Sequence, residues 1–267
     1  MNAQSISIKK ATDQTNIYHN NREMNKGEKR RNSHIDWTRV QQNVTIFKRD
    51  IKTLYEEEFG PSVEAYNAKQ KRNDRKIKDY YEKICNSSKT KVQQEMIVQI
   101  GTREDYQVRL FEEMDFENDQ QWTEQSWIAA EEKRIAENWH RSNEILKEWC
   151  IEFPTRNPNL KIYNAVIHND ESSPHIHINF VPVATGYKRG MEKQVSFDKA
   201  LIGQDKTLDK MQPFEAWRQK ELNILEEKLK TRGVERKLVG TNEYKDLHTF
   251  KRRMALENNI KDLEVDF

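Results

Sequence analysis

Two neighbouring β-strands are the strongest prediction from the pattern of apolar and polar positions. Residues 161–168 (KIYNAVIH) and 175–183 (HIHINFVPV) are rich in β-branched and aromatic side chains, and only the six residues NDESSP separate them. A connection this short joins two strands as an antiparallel hairpin. Three further strands are expected where short apolar or alternating runs occur, at residues 4–9, 43–47 and 94–100.

The first third of the chain is predicted to contain a polar loop followed by helices. Residues 11–36 show no apolar period and are read as a loop. A helix should begin near Ile51, where apolar residues recur at helical spacing, and Gly60 and Pro61 should end it. A charged helical segment is expected over residues 62–84.

Two longer amphipathic helices are predicted in the rest of the chain. The first covers residues 122–150 and should end by Pro154 and Pro158. The second begins near Phe214, and Gly233 should cap it. The first helix carries one apolar stripe, which we expect to lie in the core, at Ile128, Ile135, Trp139, Leu146 and Trp149.

These elements predict an α+β fold, with a mainly antiparallel sheet flanked by helices and with helical extensions. A chain of 267 residues can bury one substantial core. We expect a catalytic domain over residues 1–212, including an inserted helical region at about 103–152. Residues 213–267 should form a C-terminal helical extension that packs on this domain.

The charge distribution is uneven along the chain. Charged residues make up 34% and hydrophobic residues only 35%, which favours long solvated helices around a modest core. The net charge is +2, but residues 1–90 carry 19 Lys and Arg against 12 Asp and Glu, whereas residues 91–155 carry 7 against 15. A positive lobe fits a phosphate-binding surface, although ordinary soluble proteins show similar swings.

Neither a membrane segment nor a disulfide is expected. No run approaches the roughly 18 apolar residues that a membrane span requires, and the first residues lack the apolar core of a signal peptide. We therefore expect a cytoplasmic protein. Cys85 and Cys150 are far apart in the sequence and outside any paired metal-binding spacing, so they are read as reduced, structural residues.

Three imidazoles are predicted to converge on the polar face of the hairpin. Side chains alternate along a strand, so His175 and His177 share one face, and antiparallel pairing brings His168 beside His175. Three neutral imidazoles without a fourth ligand leave coordination positions open, which is typical of a catalytic metal site. Glu171, in the turn, is placed to orient an imidazole or to reach the ion. The alternative is that these histidines only pack across the strands.

The hairpin sequence HNDESSPHIHINFVP closely resembles the HxDExTPHxHxxFVP signature of the Mob/Pre plasmid recombination and mobilisation proteins, the MobV class of relaxases. Ser173 stands where the signature has threonine. The resemblance extends to HNNRE (19–23), which is similar to the first motif of that family. It also includes the blocks NAKQKRNDRKIKDYYEKI (67–84), RNPNLKIYNAVIH (156–168), KRGMEKQVSFDKAL (188–201) and GTNEYKDLHTFK (240–251).

The resemblance implies a relaxase fold related to the HUH nucleases, a divalent ion such as Mn²⁺ or Mg²⁺, and DNA nicking and rejoining at a plasmid transfer origin. The partner would be plasmid or mobile-element origin DNA, single-stranded or folded as a hairpin, with a coupling protein or a homodimer as further possibilities. The first motif of the family carries a histidine nucleophile, which corresponds to His19, with Tyr18 as the rival. A histidine of ordinary pKa is largely neutral at pH 7 and needs no base before it attacks phosphorus.

Several polar residues are candidates for DNA contacts. Arg22 is a candidate phosphate clamp, and Asn20 is a candidate for contacting DNA or orienting the His19 imidazole, unless the motif is only a polar loop. A basic stretch followed by two tyrosines offers phosphate contacts beside stacking rings, or else a solvated helix face. The remaining candidates, in that stretch and after the second hairpin strand, are Lys71, Arg72, Arg75, Lys76, Lys188 and Arg189.

Two other functions remain open at the level of sequence. Sheets that present an HxH pattern also occur in three-histidine metallohydrolases and oxygenases that act on small molecules. Alternatively, the chain is a non-catalytic DNA-binding protein whose metal is structural or lost. A covalent protein–DNA adduct distinguishes the relaxase from both alternatives.

Overall fold

The structure of the chain is a computed structural model that describes residues 3–11, 15–109 and 123–239. Residues up to Lys237 form one compact unit, and the chain from Leu238 onwards belongs to a second unit. The first unit combines helices with a mainly antiparallel sheet, which confirms the expected α+β fold. The block at 240–251 and the remainder of the predicted C-terminal extension lie outside the described residues.

A six-stranded sheet forms the centre of the compact unit. Five strands lie side by side in the order β2–β4–β6–β5–β3, and each pair of neighbours is antiparallel. The predicted hairpin is confirmed as β5 and β6, and β6 is buried along its whole length because it is the middle strand. The five strands are β2 (Ile6–Lys10), β3 (Val44–Lys48), β4 (Gln94–Ile100), β5 (Leu160–His168) and β6 (His175–Ala184).

Three minor strands complete the sheet structure. The short strand β7 (Gln194–Val195) pairs with the end of β6. The strands β1 (Ala3–Gln4) and β8 (Glu235–Arg236) form a separate parallel pair. The strand β8 follows a turn at Gly233, whose φ of 70° lies in the left-handed region, so the predicted glycine stop after α7 is present.

Helices cover both faces of the sheet. Side chains cap the starts of several of them: Asp50, for example, accepts a hydrogen bond from the Thr53 backbone N–H at 2.8 Å. Short 3₁₀ turns occur at Val40–Gln42, Asn73–Arg75 and Arg103–Tyr106. The helices are α1 (Ile17–Asn20), α2 (Lys26–Arg31), α3 (Ile51–Ala68), α4 (Tyr80–Cys85), α5 (Glu124–Arg156), α6 (Phe197–Gln204) and α7 (Pro213–Lys230).

The larger hydrophobic core lies between one face of the sheet and the helices α5, α6 and α7. Phe180 of β6 is fully buried there, near Phe153 of α5 and Phe197 of α6. Replacing such a side chain with alanine costs about 3–5 kcal/mol of stability. Trp217 and Leu225 of α7 belong to the same core, so α7 is part of this compact unit. The division of the chain after residue 212 stays a prediction.

The opposite face of the sheet is divided into an apolar half and a polar half. The helices α3 and α4 cover the apolar half and pack on Tyr163, Val181 and Val183. The polar half lies nearer the β5–β6 turn, and the segment 15–36 reaches it through hydrogen bonds. A polar sheet face is thus held beneath a defined segment of the chain, which positions the candidate site.

Two helices continue through prolines that were expected to end them. Pro61 lies inside α3 and Pro154 lies inside α5. A proline in a helix costs about 3 kcal/mol because it removes one hydrogen bond and crowds the preceding turn. Phe59 and Phe153, each next to or near one of these prolines, are fully buried. Packing of these flanking residues offsets the lost hydrogen bond. The prediction that Pro61 and Pro154 end these helices is wrong, whereas α5 does end at Arg156, before Pro158.

Three further expectations about helices and loops differ from the structure in detail. The segment read as a loop, 11–36, contains α1 and α2. The stretch 62–84 is helical only at its two ends, in α3 and α4. On α5, Ile128 is 41% exposed, so the predicted apolar stripe is buried only in the second half of that helix. The first half of α5 packs against residues 103–109, which include Tyr106.

Candidate functional site

Three histidine side chains meet on the polar half of the sheet, as the sequence predicts. His168 pairs with His175 across β5 and β6, and His177 lies on the same face two positions further along β6. The ring centroids are 4.6 Å apart for His168 and His177, and 5.2 Å apart for His175 and each of the other two. All three side chains are buried. One nitrogen from each ring lies within 4.8 Å of the others.

Each ring donates a hydrogen bond through the nitrogen that faces away from the cluster. His168 Nε2 donates to the Asn20 carbonyl at 2.8 Å, and His175 Nδ1 donates to the Ser173 carbonyl at 2.9 Å. His177 Nδ1 donates to a carboxylate oxygen of Glu95 at 2.6 Å. Carbonyl and carboxylate oxygens only accept, so the second nitrogen of a neutral ring keeps its lone pair. Three such lone pairs are available at one point.

The arrangement fits a metal ion. His168 Nδ1 is buried and has no hydrogen-bond partner, and an unpartnered buried nitrogen is costly unless it serves as a ligand. Burial, together with the neighbouring rings, holds the pKa of His168 well below its usual value, so this ring stays neutral. Glu171 has one carboxylate oxygen 3.7 Å from His168 Nδ1 and 3.8 Å from His175 Nε2. A divalent ion with three imidazole ligands and a nearby carboxylate is common in catalytic sites.

A buried ion pair joins the segment before α2 to the β5–β6 turn. Arg22 donates to both carboxylate oxygens of Asp170 at 2.7 Å and to Glu171 at 2.8 Å. Asp170 is fully buried and also accepts from the Asn43 side chain at 2.8 Å. Burial opposes ionisation of Asp170, but the hydrogen bonds from Arg22 and Asn43 outweigh it and lower the pKa. The backbone of Arg22 has a φ of 58°, an uncommon left-handed conformation that this pair maintains.

His19 lies beside the three-histidine cluster. Its ring centroid is 6.3 Å from the centroids of His168 and His177, and its Nε2 is 3.2 Å from Nη1 of Arg22. Burial, the positive charge of Arg22 and the ring of His177 lower the pKa of His19 to about 4. The ring is therefore neutral at pH 7 and carries a lone pair. Tyr18 is 65% exposed and makes no ring contact with the cluster in the described part of the chain.

A comparison with protein-family models shows to which family the chain belongs. Residues 19–142 and 136–246 match the Mob_Pre family model, described as plasmid recombination enzyme. The chain belongs to the Mob_Pre family. The two matched segments include the His19 motif, the three-histidine hairpin and the sequence between them. A comparison with curated protein sequences gives no match.

Solved structures similar to this Mob_Pre chain are MobM relaxase domains. One is a Mn-bound domain in complex with a 22-nucleotide oriT DNA of plasmid pMV158, solved at pH 5.5. Its sequence is 16% identical to this chain, the match covers 93% of this chain and 99% of the MobM chain, and the TM-score is 0.45. A second is a Mn-bound domain at pH 6.8 in complex with 22-nucleotide oriT DNA that carries a 3′-thiophosphate. It is 18% identical to this chain, the match covers 94% of this chain and 99% of the MobM chain, and the TM-score is 0.44.

None of the helices in the described residues is long and apolar enough to span a membrane.

The structure places two candidate DNA-binding residues of the Mob_Pre chain inside the site. Asn20 is only 2% exposed, and its side-chain amide donates to Glu95 at 2.8 Å and to Asn179 at 3.2 Å. Arg22 is 8% exposed and is bound to Asp170 and Glu171. Both side chains use their donors within the protein, so the DNA contact expected of each from the sequence stays a prediction.

The other basic candidates lie on exposed loops. Four of them surround the 3₁₀ turn between α3 and α4, where Arg72 pairs with Asp74. The remaining two follow β6, at the end opposite the histidines. Ala184 ends β6 seven residues after His177, which is roughly 23 Å at about 3.3 Å per residue, so these two basic residues lie far along the strand from the three histidines, and their contact with DNA stays a prediction. The exposed candidates are Lys71, Arg72, Arg75, Lys76, Lys188 and Arg189.

Glu95 is the site residue that sequence reasoning missed. It lies on β4, opposite Asn179 of β6, and is 6% exposed. Burial opposes its ionisation, but the hydrogen bonds from His177 and Asn20 lower the pKa, so the carboxylate is charged. The available signal was its position: a glutamate inside a strand predicted to be buried needs a polar partner. The sequence does not reveal that this partner is an imidazole 82 residues away.

Proposed function

We propose that this Mob_Pre chain is a plasmid mobilisation relaxase that nicks and rejoins one DNA strand at a transfer origin through a covalent protein–DNA intermediate. One observation carries the proposal: a neutral histidine, His19, lies 6.3 Å from two rings of a buried three-histidine cluster that fits a divalent ion. The similar MobM domains, which are bound to Mn and oriT DNA, support the same assignment of partner. The reaction belongs in the cytoplasm, where plasmid DNA is found.

The residues proposed to hold the ion are His168, His175 and His177, with the Glu171 carboxylate as an additional ligand. The imidazole nitrogens can bind several divalent transition-metal ions, and the carboxylate is a ligand of the type that Mn²⁺ and Mg²⁺ prefer. We propose Mn²⁺, with Mg²⁺ as the alternative. A bound ion would supply positive charge to a non-bridging oxygen of the scissile phosphate. Glu95 and the Ser173 carbonyl keep two of the rings in the tautomer that directs a lone pair towards the ion.

The proposed nucleophile is a ring nitrogen of His19. Its lone pair forms an N–P bond while one P–O bond of the phosphodiester breaks. The proton on the other ring nitrogen is released to solvent, and the leaving oxygen takes up a proton from solvent water. The product is a phosphoramidate, which retains a reactive phosphorus and lets the strand be rejoined by the reverse attack of the hydroxyl. Arg22 Nη1 donates to the His19 backbone carbonyl at 3.0 Å and to the lone pair of His19 Nε2 at 3.2 Å. Arg22 thus favours the neutral form of the ring, and its contact with Nε2 must open before that nitrogen attacks phosphorus.

DNA contacts are proposed for exposed basic residues rather than for the buried ones. Lys71, Arg75 and Lys76 form an exposed basic loop next to α4, and α3 and α4 cover the same sheet face as the histidines. Such a loop can follow the phosphate backbone of single-stranded or hairpin DNA. Lys188 and Arg189 stay candidates for a more distant part of the same strand.

The test is formation of the adduct on origin DNA. Full-length protein, Mn²⁺ and an oligonucleotide that contains the origin should give a covalent product on denaturing gels. His19→Ala should abolish it, whereas Tyr18→Phe should retain it. His140→Ala, which changes an exposed histidine on α5, is the matched control. An adduct from His19→Ala at the wild-type rate would remove His19 as the nucleophile, and absence of any wild-type adduct would favour a hydrolase or a non-catalytic DNA-binding protein.

A further inference from the structure

A buried polar connection links the three-histidine cluster to the segment that carries His19. Its central residue is Asn20, which immediately follows His19 and is 2% exposed. The Asn20 backbone carbonyl accepts a hydrogen bond from His168 Nε2 at 2.8 Å. The Asn20 side-chain amide donates to Glu95 at 2.8 Å. One residue therefore contacts one predicted metal ligand directly and a second one through a carboxylate.

Glu95 completes this connection. The same oxygen, Oε1, accepts from Asn20 and from His177 Nδ1, the latter at 2.6 Å. Asn179, which faces Glu95 across β4 and β6, accepts from Asn20 at 3.2 Å and from Asn164 at 3.1 Å. The contacts join three strands of the sheet to α1. A carboxylate that accepts from the outer nitrogen of a ligating imidazole fixes the orientation and raises the basicity of that ring.

The helix α1 has little means of holding its own position. It is four residues long, and a helix of one turn is unstable in isolation. Its N-terminal cap is Asn16, whose side chain accepts from the His19 backbone N–H at 3.1 Å. The placement of His19 therefore depends on tertiary contacts, and those of the adjacent Asn20 lead to the histidine cluster.

We propose that Glu95 and Asn20 are positioning residues that couple metal binding at the histidine cluster to the placement of His19. This inference rests on the proposed function for its role in catalysis, but the coupling itself is a property of binding. A cation bound to the inner nitrogens withdraws electron density from the rings and strengthens the hydrogen bonds that their outer N–H groups donate. Those bonds end on Glu95 and on the Asn20 carbonyl, so metal binding stabilises the segment that contains His19.

Coupling of this kind is reciprocal. If the bound ion tightens the contacts of Asn20 and Glu95, then these contacts increase the affinity for the ion by the same factor. Loss of an outer carboxylate from a metal-bound histidine lowers metal affinity roughly 10–100-fold. A purely structural role for Glu95 would instead lower the stability of the fold and leave metal affinity unchanged. Metal affinity and local backbone protection are therefore the measurements that discriminate.

The experiment uses the full chain and Mn²⁺ alone. Isothermal titration should show roughly 10–100-fold weaker Mn²⁺ binding for Glu95→Gln than for wild type. The matched control is Glu221→Gln: Glu221 is a 3%-exposed carboxylate that accepts from Trp149 and Asn157 in the core on the other face of the sheet. This control should lose stability but bind Mn²⁺ with wild-type affinity.

Hydrogen–deuterium exchange then tests the coupling to His19. In wild type and in Glu221→Gln, Mn²⁺ should slow exchange of the backbone amides of residues 15–23. In Glu95→Gln and Asn20→Ala, most of that protection should be absent even when Mn²⁺ is added above the Kd of each variant. Asn20→Ala retains the backbone carbonyl that His168 contacts, so it tests the side-chain connection separately.

Three results would overturn the proposal: wild-type Mn²⁺ affinity in Glu95→Gln, no Mn²⁺-dependent protection of residues 15–23 in wild type, or no Mn²⁺ binding by wild type. Failure of the proposed function gives a different pattern. Protection and affinity would then follow the predicted order among the variants, while origin DNA gives no adduct with the wild-type chain.

Discussion

The buried pair of Arg22 and Asp170 makes a strong prediction about stability. Its perturbation is Arg22→Ala, which leaves Asp170 in place. The guanidinium makes two 2.7 Å hydrogen bonds to Asp170 and one of 2.8 Å to Glu171, and the Arg22 and Asp170 side chains are 3% and 0% exposed. Removing one partner of a buried pair leaves an uncompensated charge, which costs about 3–5 kcal/mol. At about 2–4 °C per kcal/mol for a domain of this size, the Tm should fall by roughly 6–20 °C.

The assay is a double-mutant cycle by thermal or urea unfolding. Asp170→Ala should also cost about 3–5 kcal/mol, because it leaves the buried Arg22 guanidinium with Glu171 as its one remaining carboxylate partner among the described residues. The double variant removes both charges, so its loss should be smaller than the sum of the single losses by about 1–3 kcal/mol. Single and double variants that add to within about 0.5 kcal/mol would refute the idea that these charges depend on each other.

The pH dependence provides a second test of the same pair. The pKa of Asp170 is lower in the folded chain than in the unfolded chain. A lowered pKa stabilises the fold at pH values above the unfolded pKa of about 3.9, and this contribution is lost as the pH falls through the folded pKa. The stability difference between wild type and Arg22→Ala should therefore be largest near neutral pH and should shrink below about pH 4. A difference that grows in acid would contradict the assignment.

Three further predictions concern the ion, the nucleophile and the backbone. Mn²⁺ at about 100 times its Kd should stabilise wild type by about 2.7 kcal/mol, a rise in Tm of roughly 5–11 °C, and thermal scans of His177→Ala should lack this rise. Protonated His19 cannot attack phosphorus, and the pKa of His19 is lowered to about 4. The single-turnover rate of adduct formation at saturating Mn²⁺ should therefore stay high until the pH falls towards 4. An inflection of this rate near pH 6.5 would contradict the prediction. Gly101→Ala should cost about 1–3 kcal/mol in urea unfolding, since φ is 76° and the new Cβ would lie 2.9 Å from the Tyr106 ring. Gly186→Ala, with a φ of 80° and open space around it, should cost less.

The hairpin could be predicted because its information is local. Alternation along β6 separates His175 and His177 from Ile176 and Ile178, and a six-residue connection sets the pairing with β5. The structure confirms the strands, the pairing and the convergence of three rings on one face. His168 was included correctly because antiparallel pairing places it opposite His175.

The contacts that position the site could not be predicted because they join distant parts of the chain. Asn20 meets Glu95 across 75 residues, and Arg22 meets Asp170 across 148. Sequence marks each as polar but does not identify its partner, so Asn20 and Arg22 were assigned to DNA. Lys188 is near the histidines in sequence, but the extended strand β6 carries it away from them, so its contact with DNA stays a prediction.

The alternation along β6 also limits how the gene can change. Inserting or deleting one codon within this strand would rotate every following side chain to the opposite face, directing isoleucines towards the polar half of the sheet and imidazoles into the hydrophobic core. Single-nucleotide substitutions at many positions leave that alternation intact. We therefore expect the segment between His168 and Phe180 to tolerate changes of residue identity better than changes of length, and library designs for this chain should keep the residue count there fixed.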